Sequence, residues 1–310
     1  MWVFALCLLG LVLCATPARA GSARLVPYQG PFAYGLEVAP PWEQGGTLVI
    51  NLPEHLERFP DTQGILRHND KEPKGHWVVA ADGRSAVLDV DSATMAGAHV
   101  LGKAKVVAPG RIELSMRIDN HSDRDMAGII PLYCVQYRGL TGFPQWQGNF
   151  RHTFVLMDGK VTALGDIPTE RADAEVKAAY VRGCPQRDTE KFPREHGGMI
   201  ERPMDRALTA VTSLDDTRAV LLSWTPGKTM LANAAIPCIH ADPYYGPVPA
   251  GQSAEARGVL VFSDEPLEQA VQKLVREGAG LPERQARRQV ENRLACPRAA
   301  TVSGRAACGR

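Results

Sequence analysis

"AKVVAPGRIELSMRID" (Ala104–Asp119) decides the fold. From Arg111 onward it alternates strictly. Ile112, Leu114, Met116 and Ile118 point one way, and Arg111, Glu113, Ser115 and Arg117 the other. A period of two with one apolar side describes a half-buried antiparallel strand. The run before it ends in Pro109-Gly110, so the two segments predict a hairpin. The same pattern recurs on either side. "HWVVAADGRSAVLDVD" turns at Asp82-Gly83 and "TFVLMDGKVTAL" at Asp158-Gly159, the strongest kind of short hairpin signal. "ALTAVTSLDDTRAVLLSW" gives two more strands around Asp215-Asp216, and "GTLVINLP" and "SAEARGVLVF" one each.

Closely spaced strands with turn chemistry between them predict an all-β fold, a large, mostly antiparallel β-sandwich, and argue against βαβ units. Helical spacing is confined to the end. "DEPLEQAVQKLVREG" offers Asp264 as N-cap, an apolar stripe of Leu267, Ala270, Val271, Leu274 and Val275, and Gly278 as terminator. "PERQARRQVENRLAC" reads as a second, more polar helix. The expected organisation is therefore a signal segment over residues 1–20, a sandwich over 21–263 and a short helical tail over 264–310. Between Tyr180 and Asp205 the chain is polar and broken by Pro and Gly, and is expected to be a long loop, either a functional lid or a plain excursion.

Composition narrows the class. The 310 residues are 45% apolar, enough for a full core. A net charge of +1 with mixed signs gives no basic face, so no nucleic-acid partner is expected. The opening "MWVFALCLLGLVLCATPARA" is an apolar run followed by Ala18-Arg19-Ala20, the pattern of a secretory signal. It lacks a basic n-region. Leu13 before Cys14 stands where a lipid-attachment motif needs a small residue. Export and a mature chain from about Gly21, with no transmembrane segment, are the expectation. Five cysteines then remain: Cys134, Cys184, Cys238, Cys296 and Cys308. An oxidising compartment permits disulfides, but an odd count leaves at least one thiol over.

The segment richest in chemistry is "PCIHADPYYG" (Pro237–Gly246). On a strand, Cys238, His240 and Asp242 share one face, and Ile239 and Ala241 take the core side. The flanking Pro237 and Pro243 suit an edge or short strand. Three readings compete. A thiolate–imidazole pair could act as a nucleophile. His240 and Asp242 could hold a metal with His152, His121 or His196. Or Cys238 is a disulfide or buried thiol beside a locally bonded histidine. Nothing in the spacing identifies a cofactor or metal. Tyr244 and Tyr245, following His240 and Asp242, suit one wall of a sugar site, because aromatic faces and planar polar groups suit hydroxyl-bearing rings. In "GFPQWQGNFRHTF" Trp146 and Arg151 are further ligand candidates, Arg151 for a carboxylate, and His152 is a second candidate acid or base. His152 shares a face with Phe150 and Phe154 if the run is a strand. "RHNDKEPKGHW" (Arg67–Trp77) reads as a solvated turn, and Asn120-His121-Ser122 as turn chemistry in preference to a glycan acceptor. No P-loop, dinucleotide fingerprint, nucleophile elbow or zincin motif is present.

"RIELSMRIDNHSD" followed by "AGIIPLYCVQY", and the late "GPVPAGQSAEARGVLVF", resemble the central and late strands of galactose-mutarotase-like supersandwich proteins. The resemblance covers about a third of the chain. It implies a supersandwich fold and a role in recognising or processing a sugar or polysaccharide on the concave sheet face. The alternative is a noncatalytic secreted binding or cell-envelope protein. Epimerases of that superfamily pair a catalytic His with a Glu. No such pair is matched here, so no catalytic role carries over.

Overall fold

In the computed structural model the described residues are 21–146, 148–184, 195 and 197–280. They form a sandwich of two nine-stranded sheets, almost wholly antiparallel. The first sheet contains β1 (Arg24–Pro27), β2 (Gly35–Ala39), β3 (Leu48–Phe59), β4 (Gln63–Arg67), β9 (Gly128–Gln136), β12 (Val176–Val181), β13 (Met199–Met204), β16 (Gly227–Asn233) and β17 (Cys238–Pro243). Its order is β1-β2-β3-β9-β17-β16-β12-β13, with β4 also on β3. The second contains β5 (Val78–Val79), β6 (Ser85–Asp91), β7 (Ala98–Ala108), β8 (Arg111–Asn120), β10 (Thr153–Met157), β11 (Lys160–Ala163), β14 (Leu208–Thr212), β15 (Ala219–Thr225) and β18 (Ser253–Ser263). Its order is β11-β10-β14-β15-β18-β8-β7-β6-β5.

The alternating strands build the core as their sequence dictates. Ile112, Leu114, Met116 and Ile118 of β8 are all buried in it, as are Ala86, Leu88 and Val90 of β6. The hairpins β7–β8, β5–β6, β10–β11 and β14–β15 close at the expected turns. At Asp158-Gly159 both residues take positive φ (48° and 75°), as a two-residue hairpin turn requires. β14 and β15 are apolar on both sides because a helix covers their outer face. That helix, α1 (Leu267–Arg276), lays Ala270, Val271 and Leu274 on Leu208, Ala210, Ala219 and Leu221. It begins after Pro266, not at Asp264, and carries no side-chain cap. Gly278 ends it at φ 82°.

Two expectations need correction. β17 is an interior strand between β9 and β16, not an edge. Its prolines do not forbid this. Pro237 precedes the strand, and Pro243 is its last residue, past the stretch that pairs with β9. The expected long loop after Tyr180 contains β13, which pairs in parallel with β12. Pro203 lies in that strand, which is tolerated because β13 ends the sheet. The second expected helix, His196, Cys296, Cys308 and residues 1–20 lie outside the described residues. No described helix is long and apolar enough to cross a membrane.

Candidate functional site

The two faces of β17 separate as its alternation requires. Ile239 and Ala241 enter the core between the sheets, beside Val135 of β9 and Met230 of β16. Cys238, His240 and Asp242 therefore face the other way, on the outer side of the first sheet, and all three are buried. The register places specific neighbours beside them. Cys134 of β9 stands directly opposite His240, and Asn51 of β3 opposite Cys134. Continuing across the sheet, the same row passes through Leu231, Ala178 and Met199, members of an apolar cluster with Val176 and Tyr180. The outer face is thus polar over β3, β9 and β17 and apolar over β16, β12 and β13.

An irregularity in β3 brings in further groups. Asn51 pairs with Cys134 and His55 with Leu132, so four residues of β3 span two of β9. The excess falls at Leu52-Pro53-Glu54, and such a bulge re-aims side chains. Glu54 Oε2 comes to 3.8 Å from His240 Nε2. The His55 ring packs edge-on against His68 at 4.9 Å, and His68 N–H donates to the Glu54 carbonyl at 2.7 Å.

Two groups of metal-ligating side chains result. Cys134, Cys238 and His240 have ligand atoms all within 4.8 Å of one another, and so do Glu54, His55 and His68. Cys238 Sγ lies 3.5 Å from His240 Nε2. The Cys134 thiol beside it holds Cys238 down to about 6, against burial and with help from His240. Burial pulls His240 down, but the Cys238 thiolate, Glu54 and Asp242 outweigh it and raise the imidazole to about 9. Burial, then Cys238, pushes the Cys134 thiol well up. The mutual attraction of Cys238 and His240 pulls the two shifts in opposite directions. No disulfide joins Cys134, Cys184 and Cys238 to one another, so among the described residues the disulfide form of the third reading does not hold for Cys238.

Several side-chain atoms on this face are buried without a hydrogen-bond partner among the described residues. They are Asn51 Oδ1 and Nδ2, His55 Nδ1, His68 Nδ1 and His240 Nδ1. His55 is held below the ordinary imidazole range, mainly by burial, which the Glu54 charge opposes.

The other residues singled out from sequence lie as follows. Asp242 Oδ1 accepts the Tyr133 backbone N–H at 2.8 Å, and Oδ2 accepts the Thr229 hydroxyl at 3.2 Å. Tyr244 and Tyr245 turn into the core. Tyr245 meets the Tyr133 hydroxyl at 2.5 Å and donates to the Met116 carbonyl at 3.4 Å. His152 precedes β10 on the second sheet, in a turn and not on a strand. Its Nδ1 is 3.1 Å from Thr212 Oγ1 and 3.4 Å from Asp216 Oδ1. Phe150, with φ 50°, breaks the strand pattern there. Arg151 is exposed in the same turn, and Trp146 is 71% exposed. His121 packs beside His99 at 6.2 Å. The structure brings His240 together with Cys238 and adds Cys134, Glu54, Asn51, His55 and His68. His152, Arg151 and Trp146 belong to the segment leading into the second sheet.

No protein-family model matches the chain, and no curated protein is similar to it. Among solved structures it is similar to the GH36 α-galactosidase AgaB from Geobacillus stearothermophilus, with TM-score 0.41 and 10% identity. That match covers 76% of this chain and 39% of the galactosidase, so the chain spans well under half the length of that enzyme. It is also similar to a protein assigned as an aldose 1-epimerase from Klebsiella pneumoniae, with TM-score 0.32 and 10% identity, over 78% of this chain and 83% of that one. No residue role passes from either protein to this one.

Proposed function

We propose that the protein is exported and recognises a carbohydrate on the outer face of its first sheet. The observation that carries this reading is the set of unpartnered polar atoms on Asn51, His55, His68 and His240. A buried polar atom without a partner costs about 1–3 kcal/mol, so several on one sheet face call for a ligand that satisfies them. The Asn51 amide and the His55 and His68 imidazoles are planar groups that donate and accept, as vicinal hydroxyls require. Export rests on the apolar N-terminal run and its Ala18-Arg19-Ala20 site.

The test is a glycan-array and turnover screen of the chain from Gly21, comparing wild type with Asn51→Ala, His68→Ala and Trp146→Ala. Loss of a specific glycan signal in the first two is expected. A signal unchanged in both, or no glycan bound by the folded wild type, overturns the reading. N-terminal sequencing of material secreted from the full chain tests export, with Gly21 as the expected first residue.

A further inference from the structure

We propose that Cys134, Cys238, His240 and Glu54 form a binding site for one thiolate-preferring divalent metal ion of the zinc class. The inference does not rest on the carbohydrate reading.

The spacing of three ligand atoms suits three corners of a tetrahedral site, with Glu54 nearest the fourth. Zinc bonds of about 2.3 Å to sulfur and about 2.0–2.1 Å to nitrogen set a tetrahedral S···N edge of about 3.6 Å. Cys238 Sγ and His240 Nε2 are 3.5 Å apart. The Cys134 sulfur completes the trio inside 4.8 Å, where an S···S edge of about 3.8 Å is needed. Glu54 Oε2 lies 3.8 Å from His240 Nε2, near the N···O edge of about 3.4 Å, but outside the trio's 4.8 Å set, so it is the ligand that has to move toward the sulfurs.

The sheet explains why these atoms converge. Cys134 and His240 are a directly opposed cross-strand pair, whose Cβ atoms lie about 4.5–5.5 Å apart. Cys238 and His240 are alternate residues on one strand, so their side chains rise from the same face. The β3 bulge delivers Glu54 from the far side of β9. Three strands thus supply the four groups, Cys134, Cys238 and His240 from paired ladder positions and Glu54 from the bulge. Burial favours the ion as well. The three first ligands are at most 3% exposed, so an ion held by them is kept from bulk water. Two thiolates and an imidazole select zinc-class ions over magnesium or calcium. With Nε2 as the ligand atom, His240 Nδ1 stays available to a second group. The neighbouring trio of Glu54, His55 and His68 has no sulfur and competes for Glu54 alone.

The experiment is metal analysis and cobalt(II) titration of the chain from Gly21, purified under reducing conditions. One ion per chain is expected, with thiolate-to-cobalt charge-transfer absorption and intense tetrahedral ligand-field bands. Cys134→Ser, Cys238→Ser and His240→Ala should each weaken binding by more than the roughly 10–100-fold typical of losing an outer-shell partner. Glu54→Gln should keep the charge-transfer band and weaken the affinity less. Cys184→Ser and His68→Gln should leave one ion bound with an unchanged spectrum. Chelation should lower the thermal midpoint of wild type, and the serine variants should no longer respond to chelator. Because a serine variant could misfold, wild-type protein is also mapped by mass spectrometry without reductant. Absence of stoichiometric metal with intact thiols, a Cys134–Cys238 disulfide in the folded protein, or loss of metal only in His68→Gln overturns the proposal.

Discussion

Replacing Asp242 with alanine tests how the first sheet is held in register. The ladder between β17 and β9 pairs only Cys238, Ile239 and His240 with Gln136, Val135 and Cys134. Beyond that point the Tyr133 N–H would face the strand without a backbone acceptor. Asp242 Oδ1 takes it at 2.8 Å, while Oδ2 holds the Thr229 hydroxyl of β16 at 3.2 Å. One carboxylate therefore bonds both neighbouring strands. In Asp242→Ala the Tyr133 amide is left unsatisfied at a cost of about 1–3 kcal/mol. The Thr229 hydroxyl loses about 1 kcal/mol more, and the small void adds to this. The cost of burying the charge is recovered in part, so a net loss of about 3 kcal/mol is expected, as for breaking other buried charged contacts. That is a large share of the roughly 5–15 kcal/mol by which domains are stable.

Urea unfolding is the assay. With m near about 3 kcal/mol/M, the midpoint should fall by about 1 M at unchanged m. Hydrogen exchange should show the Tyr133 amide exposed in the variant and protected in wild type. Asp242→Asn keeps an acceptor for that amide and should lose less. A loss below about 1 kcal/mol in Asp242→Ala, or equal losses in the alanine and asparagine variants, would refute the reasoning.

Three further outcomes follow from single sites. Asn120 is buried, its Nδ2 bonded to the Arg124 and Val248 carbonyls and its Oδ1 to Ser122. Mass spectrometry of protein from a glycosylating host should find Asn120 unmodified, and Asn120→Ala should cost about 2–3 kcal/mol. Gly258 of β18 lies beneath the Trp224 indole, where a Cβ would sit 2.6 Å from a ring carbon. Gly258→Ala should therefore lower stability by about 2 kcal/mol in the same urea assay. His55 has a folded pKa below its ordinary 6.5, so protonation favours the unfolded chain. Its contribution is present above about pH 6.5 and is lost as pH falls through that value toward the folded pKa. The stability–pH curve of His55→Gln should lack that slope.

The fold was legible wherever one strand face is apolar and the turn is short. Ile112 to Ile118, Asp158-Gly159 and the two faces of Cys238–Asp242 all follow from local pattern. What the pattern does not carry is which strands become neighbours. Glu54, Asn51 and His55 join His240 only because β3 pairs with β9 through a bulge, and residues 80 or so apart in the chain carry no local trace of that. A possible signal was present in Leu52-Pro53, since a proline inside an otherwise continuous strand pattern marks a bulge or an edge. The charged neighbours of His68 mark it as part of a solvated turn, yet its ring packs on His55. Tyr244 and Tyr245 lie past the end of β17, where alternation no longer dictates the face, and burial of two large rings decides their direction.

The Asp242 clamp and the thiol–imidazole cluster are parts of one arrangement. A strand that slips by one residue reverses every side chain it carries. For β17 against β9, such a slip would turn Cys238 and His240 into the core and expel Ile239 and Ala241. The Asp242–Tyr133 bond lies two residues beyond His240 and one before Cys134, and so fixes the register that sets Cys134 opposite His240. It follows that Asp242→Ala should weaken metal affinity and stability together, although Asp242 is not among the proposed ligands. Cys134→Ser leaves the clamp intact, so its unfolding midpoint in the presence of chelator should stay close to that of chelated wild type. Measured side by side, the two variants separate a residue that positions the site from one that constitutes it.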